Sequence, residues 1–292
     1  MTLLSQIIQY AISGITGGSI YAVIGICWSV VYLISRVLNF ASGEFVMLGG
    51  MLTCGFHLAG LGLFSAAVAA TACTIVVAVL LERIAIRPVR CPGEMTYMMI
   101  TIAAASVIKA TVLLVWGSET RSIDPFFGTN VIHFLGATLT SQVMCVLGLL
   151  VIVTVGLSLF LNRTLFGKAL RASAVNPTGA SLMGIDISRF RLFCFALAGG
   201  LGAITGITIT PITFTGYETG MLTGLKGLVA AIVGGWTVGG TVAAGLILGL
   251  LEGFAAGFIS AGMKDVVALL VMIVFLILRT TSFSLRTKKA VW

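Results

Sequence analysis

The chain has 292 residues, of which 59% are hydrophobic and only 9% are charged. Soluble domains carry about 25% charged residues, so this composition excludes an ordinary soluble protein and indicates one that crosses a membrane many times. The formal net charge of +8 does not predict a nucleic-acid partner, because basic residues of membrane proteins collect in cytoplasmic loops.

Nine apolar stretches are candidates for membrane-spanning helices. A helix needs roughly 20 apolar residues to cross the bilayer core, and the stretches leave no room for a separate soluble domain. We therefore predict an all-α bundle of about eight or nine transmembrane spans in one domain, residues 1–292, including short or broken glycine-rich helices. The stretches are 7–33, 45–63, 64–81, 97–116, 143–161, 190–212, 222–236, 241–259 and 266–278.

Basic residues predict on which side of the membrane each loop lies. The loops richest in Arg and Lys are RIAIRPVRCPGEM, at 83–95, and the polar segment after the fifth stretch, and the tail ends in RTKKAVW. All three should be cytoplasmic, which requires an even number of crossings between the last two. Dividing the chain at GGWTVGG, 234–240, meets this condition and places the N-terminus in the periplasm and the C-terminus in the cytoplasm. A re-entrant seventh stretch is the alternative.

The order of the spans predicts two repeats that run in opposite directions. The first repeat covers about 7–116 and the second about 190–279, with a linker helix at about 143–161 and a cytoplasmic loop at 162–189. The second span of each repeat is short and rich in glycine: FASGEFVMLGGMLTCG and MLTGLKGLVAAIVGG. Inverted repeats with interrupted helices commonly form a translocation site near the middle of the membrane, so this pattern predicts a transporter.

Glycines recur at every fourth position in the first and eighth stretches. Small residues at this spacing let helices approach closely in lipid, where association depends on packing rather than on the hydrophobic effect. We therefore expect them to pack helices together. They are Gly14 and Gly18 in the first stretch and Gly245, Gly249, Gly253 and Gly257 in the eighth.

Polar and charged residues at membrane depth are candidates for the translocation pathway, because a charge there costs roughly 2.5–3.5 kcal/mol on insertion scales. The candidates are Asn39, Glu44, Lys226 and Glu252. Glu252 shares the face of the second glycine stripe and should point into the bundle. Lys226 is expected nearer the outer interface, and Lys109 is expected to extend outward from its span. Hydrogen bonding that only holds the structure together is the alternative for Glu44 and Glu252.

No catalytic or metal-binding constellation is recognisable in the sequence. His57 and His133 are isolated, the six cysteines lack ligand spacing, and no HExxH, GxSxG or Walker-type glycine loop occurs. We expect the chain to bind no metal and no cofactor of its own. It is therefore not expected to be an enzyme.

The polar segment between the fifth and sixth stretches contains a predicted helix of about two turns, PTGASLM. Asn176 suits the N-cap, Pro177 the first helical position and Gly184 the left-handed residue that ends a helix. Leu182 and Met183 should be exposed and fit a groove on a partner protein, whereas a helix resting on the membrane surface is the alternative. The residues assigned to the partner contact are Asn176, Pro177, Gly179, Ala180, Leu182, Met183 and Gly184.

Several motifs follow one another nearly end to end: GGSIYAVIGICWSVVY, VLNFASGEFVMLGG, LERIAIRPVR, FGKALRASAVNPTGASLMGID, LKGLVAAIVGG, and GLILGLLEG followed by KDVVALL. In this order they resemble the permeases of high-affinity branched-chain amino acid ABC transporters. The sequence departs from the family pattern at Ser42, where His is frequent, and at Trp236 and Thr237, which replace a glycine-serine turn. Members of the family carry urea, short amides and aromatic acids as well as Leu, Ile and Val, so the solute stays open.

The resemblance implies a permease subunit of a binding-protein-dependent importer in the bacterial inner membrane, for branched-chain amino acids or a related small polar or carboxylate solute. Its implied partners are a second permease chain, expected to be homologous, two cytoplasmic ATPases that bind ATP and Mg, and a periplasmic solute-binding protein. The segment 176–184 corresponds to the coupling helix that docks on an ATPase. An ion-coupled secondary carrier with proton sites at Glu44 and Glu252 is the alternative, and a membrane-embedded enzyme is a third reading.

Overall fold

The computed structural model describes residues 3–274 with gaps at 37, 90–92, 127, 129, 130, 135, 136, 261, 263–265, 267, 268 and 272. The described part is a helical bundle with one short β-hairpin. In chain order its elements are α1 (Leu3–Ser35), α2 (Ser42–Leu58), α3 (Leu63–Leu80) with a π-helical continuation (Leu81–Ile86), α4 (Glu94–Trp116), β1 (Val131–Phe134), β2 (Ala137–Thr140), α5 (Ser141–Arg163), α6 (Leu165–Val175), α7 (Pro177–Leu182), α8 (Ile187–Thr213), α9 (Thr219–Val233) and α10 (Val238–Phe258).

Six helices are long and apolar enough to cross a membrane: α1, α3 with its continuation, α4, α5, α8 and α10. They coincide with six of the nine predicted stretches, so the predicted polytopic bundle is confirmed. The two glycine-rich stretches form the shorter helices α2 and α9, of 17 and 15 residues. The division predicted within GGWTVGG is present, because α9 ends before it and α10 begins inside it. The ninth stretch, 266–278, lies mostly outside the described residues.

A β-hairpin that the sequence does not predict lies between α4 and α5. Its strands are antiparallel and pair Val131 with Thr140 at the open end. Each strand has only four residues, too few for periodicity to distinguish a strand from a loop. The side chain of Gln9 accepts a hydrogen bond from the backbone N of Thr138 at 2.9 Å, which ties the hairpin to the first turns of α1.

Glycines bring the backbones of α1 and α10 into direct contact. A Cβ placed on Gly249 would lie 2.2 Å from the backbone N of Gly18, and one on Gly14 would lie 2.8 Å from the carbonyl O of Gly249. Gly245 and Gly253 meet the backbone of α1 in the same way. Helices this close gain dispersion contacts along their whole length, which is the main attraction available in lipid.

The long helices pack reciprocally across the bundle. Helix α1 packs on α9 and α10, while α8 packs on α2 and α3. The short helices α2 and α9 meet near their N-terminal ends, where a Cβ on Gly43 would lie 2.2 Å from the carbonyl O of Gly220. Each short helix therefore begins inside the bundle, at the contact with the other.

Replacing Gly249 by Val should separate α1 from α10, because the new side chain has no space against the backbone of Gly18. Overpacking of this kind costs about 1–3 kcal/mol or more. We expect a lower yield of monodisperse protein and a lower unfolding temperature in detergent. Gly156→Val is the matched control, since Gly156 lies on α5 with nothing near its Cβ position. Equal tolerance of both changes would contradict the role given to Gly249.

Candidate translocation site and coupling segment

A cavity of about 230 Å³ lies among α1, α2, α4 and α9. Its wall is mostly apolar and includes Trp28, Phe40, Ile102 and Leu225. The rings of Trp28 and Phe40 pack edge to face with their centroids 5.3 Å apart. The volume is below the roughly 300–1,000 Å³ of sites for drug-sized ligands, so it suits a small solute.

Glu44 supplies the carboxylate of this cavity. The residue is only 3% exposed, and its Oε2 atom has no hydrogen-bond partner among the described residues. A Cβ on Gly220 would lie 2.7 Å from Oε2, so the absence of a side chain at Gly220 leaves space for the carboxylate in this position. Glu44 is the third residue of α2, and the positive end of the helix dipole stabilises a negative charge in the first turn.

The approach to α2 carries two further buried polar groups. Asn39 is fully buried; its Oδ1 atom accepts a hydrogen bond from the backbone N of Ala41 at 3.2 Å, while its Nδ2 atom has no partner in the described part. The hydroxyl of Ser42 is likewise buried without a described partner. Asn39 is not among the residues that line the cavity. The start of α2 is therefore the part of the bundle where buried polar groups are left least satisfied.

Lys109 lines the same cavity from α4. Its Nζ atom lies 3.6 Å from Oε1 of Glu218, the residue that precedes α9, and 5.2 Å from the ring centre of Tyr217. Both side chains of this ion pair are partly exposed. The side chain of Lys109 thus pairs with the residue that precedes α9 and remains partly exposed.

Lys226 and Glu252 form a separate buried ion pair that joins α9 to α10. Lys226 Nζ lies 3.1 Å from Glu252 Oε1, and the hydroxyl of Tyr21 donates to Glu252 Oε2 at 2.7 Å. Glu252 is 1% exposed, and it points into the bundle as its position on the glycine stripe indicates. Lys226 is largely buried, and its side chain faces this partner in the bundle. Neither residue lines the cavity at Glu44.

A second buried ion pair lies where α3 meets α8. Arg191 donates through Nε to Oε1 of Glu82 at 2.9 Å. Glu82 is fully buried and lies in the π-helical continuation of α3; π-helical turns of this kind are frequent at functional sites. The sequence does not single out this pair, because the two residues lie 109 positions apart in the chain.

The predicted helix of the polar segment forms as α7, Pro177–Leu182. Oδ1 of Asn176 accepts a hydrogen bond from the backbone N of Gly179 at 2.9 Å, which caps the first turn. Gly184 has φ of 80° and ends the helix in the left-handed conformation. Proline and glycine therefore occupy the two ends at which their backbone preferences help most.

The two faces of α7 differ in exposure. Ala180 is 6% exposed and faces the protein, and the backbone N of Ile185 donates to its carbonyl at 3.1 Å. Leu182 and Met183 are 83% and 84% exposed. Two adjacent large apolar side chains on a helix this short have no packing partner in the described chain, and they form the apolar knob predicted from the sequence.

Removing one member of the Lys226–Glu252 pair should destabilise the bundle strongly, because the remaining charge stays buried without its partner. Glu252→Gln or Lys226→Met alone should lower the free energy of unfolding by about 3–5 kcal/mol, and the double variant should recover a large part of that loss. A double-mutant cycle on unfolding in detergent measures the coupling. Strictly additive losses would show that the two side chains do not stabilise each other.

Comparison with known proteins identifies the family. The family model described as branched-chain amino acid transport system / permease component matches residues 10–276. The branched-chain amino acid permease protein BraD of Pseudomonas aeruginosa is 28% identical over 239 residues, which cover 77% of this chain and 78% of BraD. Its counterpart LivH of Escherichia coli is 28% identical over 244 residues, 77% of each chain.

A solved structure has the same fold. PsaBC from Streptococcus pneumoniae, in complex with a Fab, superposes with a TM-score of 0.54 at 10% sequence identity and covers 92% of this chain and 90% of that one. Identity this low supports the arrangement of the helices alone. The family match extends from α1 to beyond α10 and so includes the cavity, both ion pairs and α7. The chain therefore belongs to the family of permease components of branched-chain amino acid transport systems.

Proposed function

We propose that the chain is the transmembrane permease subunit of a binding-protein-dependent ABC importer in the bacterial inner membrane. Its solute is a branched-chain amino acid or a related small polar or carboxylate compound. Its partners are a second, homologous permease chain, two cytoplasmic ATPases that bind ATP and Mg, and a periplasmic solute-binding protein. The observation that carries the proposal is α7, a capped helix with an exposed apolar knob between two long spans, α5 and α8.

In this proposal, helix α7 transmits movement to α8. Asp186 caps α8 by accepting hydrogen bonds from the backbone N atoms of Ser188 and Arg189 at 3.0 and 3.3 Å. Only four residues, 183–186, separate the two helices. Because this connection is short and its end is capped, α7 and α8 can move little relative to each other. In our proposal the closing ATPases press on Leu182 and Met183, and α8 tilts with the helix.

Two contacts carry this movement from α8 into the bundle. The Arg191–Glu82 ion pair holds the start of α8 to α3. Farther along, α8 packs against α2, where a Cβ on Gly206 would overlap the carbonyl O of Val46. Helices in such close contact move together or repack as a unit. A tilt of α8 would therefore reach the cavity through α2, the helix that holds Glu44.

The proposal includes an orientation and an internal symmetry. With α7 in the cytoplasm, the positive-inside bias supports a cytoplasmic C-terminus and a periplasmic N-terminus. The reciprocal packing of α1 on α9 and α10 and of α8 on α2 and α3 supports two inverted repeats, about 7–116 and about 190–279, joined by α5 and the cytoplasmic loop. In such repeats the solute site lies at their interface, which is where α2 meets α9.

Introducing a charge on the knob of α7 should break the contact with the ATPases. Leu182→Asp and Met183→Asp should each lower the ATPase that copurifies, and ATP-driven uptake in proteoliposomes, by about tenfold or more, because an interface core tolerates no unpaired charge. Leu165→Asp is the matched control, as Leu165 is equally exposed on the neighbouring α6. Both readouts are measured on the full transporter.

Two results would count against the importer. One is normal ATP-driven uptake by both variants at α7. The other is uptake driven by a pH gradient without ATPases, which is the behaviour of an ion-coupled carrier that uses Glu44 and Glu252 as proton sites. Glu252 is held in an ion pair and a hydrogen bond, so its geometry favours a structural role over that of a proton carrier.

Arg191→Gln should weaken the link between α8 and α3 and so waste ATP. We expect hydrolysis to continue while solute moved per ATP falls roughly twofold to thirtyfold, the range of coupling energies between linked sites. The charge-swapped double variant Glu82→Arg, Arg191→Glu should restore part of the ratio. Arg83→Gln, at an exposed position next to Glu82, is the control. A parallel fall in hydrolysis and uptake would assign the pair to folding alone.

A further inference from the structure

We propose that the cavity at Glu44 binds the ammonium group of a zwitterionic, amino-acid-sized solute during its passage. This inference rests on the proposed function and adds to it a residue that distinguishes among the solutes the family carries. The site comprises the buried carboxylate of Glu44, an apolar wall around Trp28 and Phe40, and the partly exposed side chain of Lys109.

The carboxylate of Glu44 is buried in the lining of this cavity. Burying a charge without a partner is costly, and Glu44 is 97% buried with no described hydrogen bond to Oε2. Lys109, a cation that lines the same cavity, already pairs with Glu218. The cavity thus presents a buried carboxylate that lacks a direct cationic partner in the described chain, and a cationic group of the solute would supply one.

The apolar wall of the cavity indicates the size and polarity of the rest of the solute. Trp28, Phe40, Ile102 and Leu225 present apolar surface, and the faces of aromatic rings also attract an ammonium group. The cavity of about 230 Å³ has no room for a large ligand. A compact aliphatic chain attached to a cation fits this surface, whereas a flat polar solute such as urea would leave the apolar wall unmatched.

Lys109 completes the charge pattern. Its side chain also lines the cavity and is partly exposed. A solute with an anionic group next to its cation would meet both a carboxylate and an ammonium group in this cavity. Opposite charges in the lining of one apolar cavity match a zwitterion with an apolar side chain, and neither a simple carboxylate nor a simple amine uses both.

The test uses a diazirine analogue of leucine as the photoreactive probe on the purified full transporter in the absence of the binding protein. Labelled peptides are located by mass spectrometry in wild type and in Glu44→Gln, Glu44→Asp and Glu94→Gln. Glu94 is an exposed carboxylate on α4 and serves as the control. Three competitors are added in separate samples. Leucine has both charges, 4-methylpentanoate has only the carboxylate, and 3-methylbutylamine has only the ammonium group.

We expect labelling of α1, α4 and α9 at the cavity, reduced roughly tenfold to hundredfold by Glu44→Gln, the effect of losing a hydrogen bond to a charged group. Glu44→Asp should keep part of the labelling, and Glu94→Gln all of it. Leucine should compete best, the amine weakly and the carboxylate least. The competition experiment uses the wild type alone, so it tests the recognition of the ammonium group even if Glu44→Gln does not fold.

Equal competition by 4-methylpentanoate and leucine, or labelling outside the cavity, would overturn the assignment of Glu44. ATP-driven uptake of labelled leucine, measured on the same preparations with the binding protein restored, separates this failure from that of the proposed function. ATP-driven uptake by the wild type, together with cavity labelling that Glu44→Gln does not change, would contradict only the role given to Glu44. Absence of any ATP-driven uptake of amino acids, amides or carboxylates removes the importer as well.

Discussion

Close backbone contact at glycines is the constraint on which the rest of this structure depends. Lipid offers helices no hydrophobic reason to associate, so they must gain dispersion contacts at short range. Here α1 meets α10 at Gly18 and Gly249, and α2 meets α9 at Gly43 and Gly220. Because the helices are this close, the hydroxyl of Tyr21 on α1 can reach the carboxylate of α10. Where α2 meets α9, Gly220 has no side chain, and the carboxylate of Glu44 occupies the space beside it.

This packing also determines which helices can move together. Helix α8 follows α7 after a short connection and packs on α2 and α3, whereas α1 packs on α10 along its glycine stripe and contacts α9 through hydrogen bonds around Glu252. The cavity at Glu44 lies among α1, α2, α4 and α9, so helices from both groups line it. In our proposal a tilt of α8 would move α2 relative to α1 and so change the shape of this cavity.

Local signals in the sequence predict much of this fold. Apolar stretches mark the spans, and Asn176, Pro177 and Gly184 mark both ends of α7, because caps and breakers act through neighbouring backbone groups. Pairings across the chain are a different matter. Nothing in the sequence around Arg191 indicates Glu82 as its partner, and the partner of Lys226 depends on how α9 and α10 pack. Contacts of this kind follow from tertiary packing, which a single sequence does not encode in any local pattern.

Two of the three buried carboxylates in the described chain, Glu44 and Glu252, have different surroundings. Both face the same desolvation cost. For Glu252 an ammonium and a hydroxyl offset that cost, which makes it a fixed part of the contact among three helices. For Glu44 the described chain offers the dipole of α2 and no hydrogen bond to Oε2. Stability alone does not account for such a group, because a buried carboxylate without a direct partner costs free energy. Our proposal accounts for it by a partner that comes and goes, the transported solute.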